Sequence, residues 1–261
     1  MIINNRLKMI VVLGLIILMA ACSSKEDSHT REVTISAAAS LKKPLEILEE
    51  QYEKENPTIE LYFNYGGSGA LKNQILQGAP VDVYISANKR NVQELIDEGK
   101  MKQDAIVELL SNQLVIIMSE NKEEVTTLNG IAESDMKFAI GNPDTVPAGM
   151  YAKESLTALN LWEPLKKQFV YAKDVRHVLS LVEQGSVIGG IVYQSDAQSS
   201  NKVKVINRMN PDTYSRITYS IGVIDDSSYK NLGSNFVSFL SSSEAQEVFE
   251  NAGFVPLNIK K

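Results

Sequence analysis

Residues 64–73 read NYGGSGALKN, three glycines around Ser68 directly after the strand-like run Ile59-Glu60-Leu61-Tyr62-Phe63. Such a turn can cradle a phosphate, bend a serine into a nucleophile, or seat another anion on exposed backbone N–H groups. A phosphate loop needs G-x-x-x-x-G-K-[ST], but Gly69 is followed by Ala70-Leu71-Lys72-Asn73, so the lysine comes late and the magnesium-binding hydroxyl is missing. The nucleophile turn needs G-x-S-x-G, which Gly66-Gly67-Ser68-Gly69-Ala70 misses by one position. A serine hydrolase also needs a base. His29 falls in a polar stretch, and His177 lies in DVRHVLSLVEQG, where Val175, Val178, Leu179 and Val182 form the apolar face and turn it outward. The third chemistry treats the turn as a helix start, where unpaired N–H groups and the positive dipole end attract an anion and Ser68 adds a hydroxyl donor.

Repetition strengthens this third reading. Ala37-Ala38-Ala39-Ser40, Ser68, Pro147-Ala148-Gly149 and Asp174-Val175 all place small residues or helix caps where a strand gives way to a helix. In open α/β sheets such turns gather at the carboxyl ends of the strands, where ligands bind.

The elements that must position these turns alternate along the chain, which points to a parallel α/β architecture. Strands are expected over 33–35, 59–63, 81–85, 113–118, 137–140, 169–171, 187–192, 202–206 and 217–224. Between them Leu41, Leu45, Leu48 and Tyr52 mark one helical face, and further helices are expected over 70–76, 89–97, after Val146, over 174–184, 229–240 and 244–250. Gly99 and Gly185 stand where two of these helices should stop. Two α/β halves fit the 261 residues, and no Pro/Ser-rich linker separates them, so strands are expected to carry the crossings.

The first residues belong to targeting. Arg6 and Lys8 precede an apolar run from Met9 to Leu18, then Met19-Ala20-Ala21-Cys22, a pattern of secretion that is too short for a span of about 20 apolar residues. Cys22 is the sole cysteine, so no internal disulfide forms, and its setting resembles the lipobox of bacterial lipoproteins, with Met19 in place of the usual leucine. The resemblance implies a signal peptide over 1–21, a lipid on Cys22 and a polar tether over 22–31, placing the chain outside the cytoplasm at the cell membrane. Loss of Arg6 and Lys8 takes the net charge from −6 to −8. An acidic chain disfavours nucleic acid, and an anion site on it must be built from local dipoles.

AAASL at 37–41, QGAPVDVYISA at 77–87, VPAGMYAKESL at 146–156, KDVRHVLSLVEQG at 173–185 and GIVYQSDA at 190–197 occur in order, with NAGFVPL near the C-terminus. Together they resemble the molybdate-binding proteins (ModA family) of bacterial ABC importers. The resemblance implies a two-lobed, periplasmic-binding-protein-like α/β fold (type II) with residues 32–113 and 221–261 in one lobe and 114–220 in the other. It implies a non-enzymatic chain, monomeric and without cofactor, that captures molybdate or tungstate between the lobes and delivers it to a membrane permease. Molybdenum would arrive only inside the oxyanion, with no direct protein ligand. Carried over position by position, the contacts are Ser40 and Ser68 from the first lobe and Ala148, Val175 and Tyr193 from the second. The family's serine-rich second contact is Gly66-Gly67-Ser68-Gly69 here, so only Ser68 carries over from that turn. A sulfate-type oxyanion binder and a serine hydrolase using Ser68 are the alternative readings.

Overall fold

The computed structural model describes residues 30–121 and 127–257; the leader, Cys22 and His29 lie outside the described residues. The β-branched runs form strands near the expected positions. β1 (Arg31–Ala38), β2 (Ile59–Gly66) and β3 (Val83–Ser86) run parallel, with Ile35 in register with Phe63 on one side and Val83 on the other. With β4 (Val107–Ser111), β10 (Thr218–Val223) and β11 (Val255–Pro256) they make a six-stranded sheet of order β11-β4-β10-β3-β1-β2. β5 (Leu114–Ser119), β6 (Phe138–Gly141), β7 (Phe169–Ala172), β8 (Gly189–Tyr193) and β9 (Val203–Arg208) make a second sheet of order β7-β6-β8-β5-β9.

The parallel pairing expected from the alternation holds for β1, β2 and β3 and for β6, β7 and β8. β10 pairs antiparallel with β3 and β4, and β5 pairs antiparallel with β8 and β9. The cause lies in how the chain crosses between sheets. Only Asn112 and Gln113 separate β4 from β5, so β5 enters the second sheet at the edge where β8 ends and must run against it. β10, from Thr218, carries the chain back into the first sheet, within the strand expected over 217–224. β4 itself was not legible, because the consecutive buried residues Leu109 and Leu110 break the alternation that marks a half-buried strand.

Helices pack where their apolar stripes require. The helix Lys42–Glu55 buries Pro44, Leu45, Leu48 and Tyr52, and Tyr52 meets Phe236 edge-on at 5.2 Å. Leu71, Ile75, Tyr84, Val92 and Leu95 form a separate cluster under the helices Ser68–Leu76 and Lys89–Asp97. In the second half Phe138, Ile140, Leu156, Val178 and Ile191 are fully buried. Each such side chain contributes about 1.5–3 kcal/mol relative to exposure. Gly99 and Gly185 end their helices at φ 67° and 69°, left-handed geometry that glycine adopts without strain.

This arrangement fixes where function can sit. β1, β2 and β3 end along one edge of the first sheet, β6, β7 and β8 along one edge of the second, and the two edges face each other across the crossings.

Candidate functional site

All five expected contact residues line one small cavity between the two halves, together with Ala38, Ala39, Gly66, Gly67, Ala87, Val146 and Pro147. The cavity is small, about 10 Å³, room for roughly one water-sized sphere. The lining has no charged side chain; its polar side chains are Ser40, Ser68 and Tyr193.

Each lining residue lies at or just past the carboxyl end of a strand. Ser40 lies in the 3-10 turn Ala39–Leu41 after β1, buried, with its hydroxyl 2.8 Å from the Tyr219 hydroxyl. It does not cap the following helix, whose N-cap is Leu41. Ser68 opens the helix Ser68–Leu76 after β2 and is fully buried. Its Oγ accepts from the Ala87 N–H at 3.1 Å, which leaves the hydroxyl hydrogen free to point into the cavity. Its carbonyl accepts from the Tyr84 hydroxyl at 2.7 Å, which holds the turn in place.

From the second half, Ala148 is the second residue of the helix Pro147–Ala158, and Val175 is the first of the helix Val175–Glu183. N–H groups at such positions have no intrahelical acceptor. Pro147 at N1 presets the helical turn at the cost of a donor that would be unpaired anyway. Asp174 accepts from the His177 N–H at 2.8 Å, the cap its sequence position suggests. Tyr193 ends β8 at 1% exposure, and its hydroxyl has no hydrogen-bond partner among the described residues. Burial pushes the Tyr193 and Tyr219 phenols well above their ordinary range, so both remain protonated donors at neutral pH. Their rings meet edge-on, 6.0 Å apart.

Gly67 and Gly69 admit the opposite half of the protein. A Cβ on Gly67 would lie 2.8 Å from the Thr145 carbonyl oxygen and 2.9 Å from that of Lys173, and one on Gly69 would meet Thr145 at 3.0 Å. Further contacts hold the halves together: Tyr151 donates to the Ala87 carbonyl at 3.3 Å, and the Lys43 amino group donates to the Ser199 carbonyl.

Ala87 was missed at the sequence level. The available signal was its place as a small residue just past β3, the same signature as the other lining residues. His177 is exposed on its helix, as its spacing predicted, and does not line the cavity. Among the described residues no cluster of His, Cys, Asp and Glu is suited to a metal ion, and no helix is long and apolar enough to cross a membrane.

A buried set of neutral donors where two α/β units meet is the geometry of a small-anion receptor. Residues 33–255 match the family of bacterial extracellular solute-binding proteins. The chain belongs to this family. Among its relatives, YvgL of Bacillus subtilis, named as an ABC transporter substrate-binding lipoprotein, is 42% identical over 250 residues, covering 94% of this chain and 96% of the relative. The molybdate-binding protein ModA of Haemophilus influenzae is 33% identical over 229 residues, covering 85% and 89%. A solved substrate-binding domain of a molybdenum ABC transporter from Clostridium difficile superposes with a TM-score of 0.65 at 39% identity, covering 87% of this chain and 99% of that one. The resemblance to the molybdate-binding proteins of ABC importers thus holds, and so does the two-sheet α/β fold of the extracellular solute-binding proteins. This is a family of binding proteins, not of enzymes.

Proposed function

We propose that this chain captures molybdate, and tungstate in the same place, in the cavity between its halves, and hands it to the permease of an ABC importer. The halves built on the two sheets act as lobes that close on the anion. One observation carries the reading: Tyr193 lines the cavity, buried and with an unpartnered hydroxyl, and the other side-chain donors of the lining are Ser40 and Ser68. An unpaired buried hydroxyl costs stability unless a ligand completes it.

A fully deprotonated oxyanion only accepts hydrogen bonds, so a lining of hydroxyls and N–H groups suits it without lysine or arginine. Five bonds to a charged group total about 7–15 kcal/mol before costs. Dehydrating the dianion and closing the lobes consume part of this, and micromolar binding requires that about 8 kcal/mol remain. Phosphate near neutral pH carries a proton that wants an acceptor, and no carboxylate lines the cavity, so phosphate is disfavoured. Sulfate differs mainly in size.

The serine-hydrolase alternative finds no support in the geometry. Ser68 Oγ is engaged by a backbone N–H and no histidine lines the cavity.

Calorimetric titration with molybdate, tungstate, sulfate and phosphate tests the proposal. Molybdate and tungstate are expected to bind and phosphate to be silent; sulfate binding above both would turn the reading to a sulfate receptor, and no heat with any of the four would end it. Anchoring through a lipid on Cys22, outside the cytoplasm at the membrane, belongs to the same proposal. Cys22→Ser should move the protein from the membrane fraction to the medium.

A further inference from the structure

Three residues beyond Tyr193, Asp196 is 1% exposed, and neither carboxylate oxygen has a hydrogen-bond partner among the described residues. It sits on the short helix Gln194–Gln198, whose N-cap is Tyr193 itself. That helix packs against β5, β8, β9 and the helix Val175–Glu183. The titratable and charged groups these elements bring are Asp174, Arg176 and exposed His177 with Glu183 on the helix and its cap, Tyr193 on β8, and Lys204 and Arg208 on β9, with Tyr219 of β10 acting across the interface. β5 brings none.

The nearby cations are committed elsewhere. Arg176 Nη1 donates to Ser199 Oγ at 2.8 Å, and that hydroxyl donates to the Asp196 backbone carbonyl at 2.7 Å. Arg208 donates to Gln194 Oε1 at 2.5 Å. The Asp196 carboxyl is therefore left in a dry environment, and burial lifts it to about 7, against the pull of Arg176. The same charge acts on Tyr193, which lines the cavity, and on Tyr219, which holds Ser40. A dianion placed against these residues adds negative charge to the same low-dielectric region, and like charges there favour the neutral acid.

We propose that oxyanion capture is coupled to proton uptake by Asp196: a proton from solvent bonds to one of its carboxylate oxygens as the dianion enters. This rests on the oxyanion reading of the cavity and adds its regulation, since capture then strengthens as pH falls through the neutral range.

The test is titration of the full chain with sodium molybdate at pH 7 in two buffers of different ionisation enthalpy. The apparent heats should differ by an uptake of up to about half a proton per anion, because a group titrating near pH 7 is half protonated beforehand. The dissociation constant should rise with pH between 7 and 8, by up to about fivefold. In Asp196→Asn, which keeps the shape, both dependences should vanish while binding persists. Equal heats in the two buffers with binding intact, or a buffer dependence that survives in Asp196→Asn, would overturn the coupling and leave the receptor standing. Absence of heat in every buffer would overturn the receptor and the coupling together.

Discussion

Gly69 donates its backbone N–H to the carbonyl oxygen of Thr145 at 3.0 Å, a bond from the first helix turn of one half to the loop before a helix of the other. The glycine-rich turn is thus part of the surface on which the halves meet, and the lining residue Ser68 stands between two glycines that make the approach sterically feasible.

Gly67→Ala should therefore weaken molybdate binding by obstructing closure. Its methyl carbon would fall 2.8 Å from the Thr145 oxygen, closer than such contacts allow. Overpacking of this kind costs about 1–3 kcal/mol, so the dissociation constant should rise roughly tenfold or more. Small-angle scattering with saturating molybdate should show a less compact particle than the parent; an unchanged titration refutes the role.

Tyr193→Phe separates binding from stability. Removing a buried hydroxyl without a protein partner leaves no bond broken in the free protein, so its melting temperature should hold or rise. Binding should weaken by about 1.5–3 kcal/mol, the usual worth of a hydrogen bond to a charged group. A fall in melting temperature with unchanged affinity would reverse the assignment.

In Ser68→Ala the cavity loses one hydroxyl donor and the Ala87 N–H loses its acceptor. Affinity is expected to drop by about 1–3 kcal/mol. Equal affinities by calorimetry would remove Ser68 from the site.

Val175→Pro tests a main-chain donor directly. Position 175 is the first helical residue, where proline is tolerated, and Asp174 has the extended backbone (φ −159°, ψ 171°) that a following proline requires. The helix should survive by circular dichroism while binding falls by about 1.5–3 kcal/mol. Retained affinity would mean that the Val175 N–H does not reach the anion.

The Asp196 carboxyl also makes the free protein sensitive to pH. Its folded value, about 7, lies above the 3.8 of an ordinary aspartate, so the folded state holds a proton that the unfolded state has released between those values. Stability therefore falls as pH rises from about 4 to 7, by up to roughly 4 kcal/mol, and is level above that. Urea denaturation at pH 5 and pH 8 should show about two-thirds of this loss in the parent and a smaller one in Asp196→Asn; parallel losses would assign it to other groups.

Much of the fold was legible because the strands that end at the cavity are short β-branched runs followed by amphipathic helices. Ser40, Ser68, Ala148, Val175 and Tyr193 could be singled out together only because their motifs resemble those of a family; taken singly, Ala148 and Val175 look like any helix start. What stayed hidden was tertiary. The reversed directions of β5 and β10 follow from where the chain crosses, which no local pattern encodes. That Gly67 and Gly69 lie against Thr145 and Lys173 is equally invisible along the chain. Ala87 lacked any polar side chain to draw notice, and nothing in the local pattern marks Asp196 as buried.

Two of the lining residues singled out here, Ala148 and Val175, offer the cavity nothing but peptide groups, since alanine and valine side chains have no donor. Recognition written in the main chain survives most exchanges of one residue type for another. Lineages can therefore diverge widely along such a rim and still hold the same cargo, provided that the chain keeps its path.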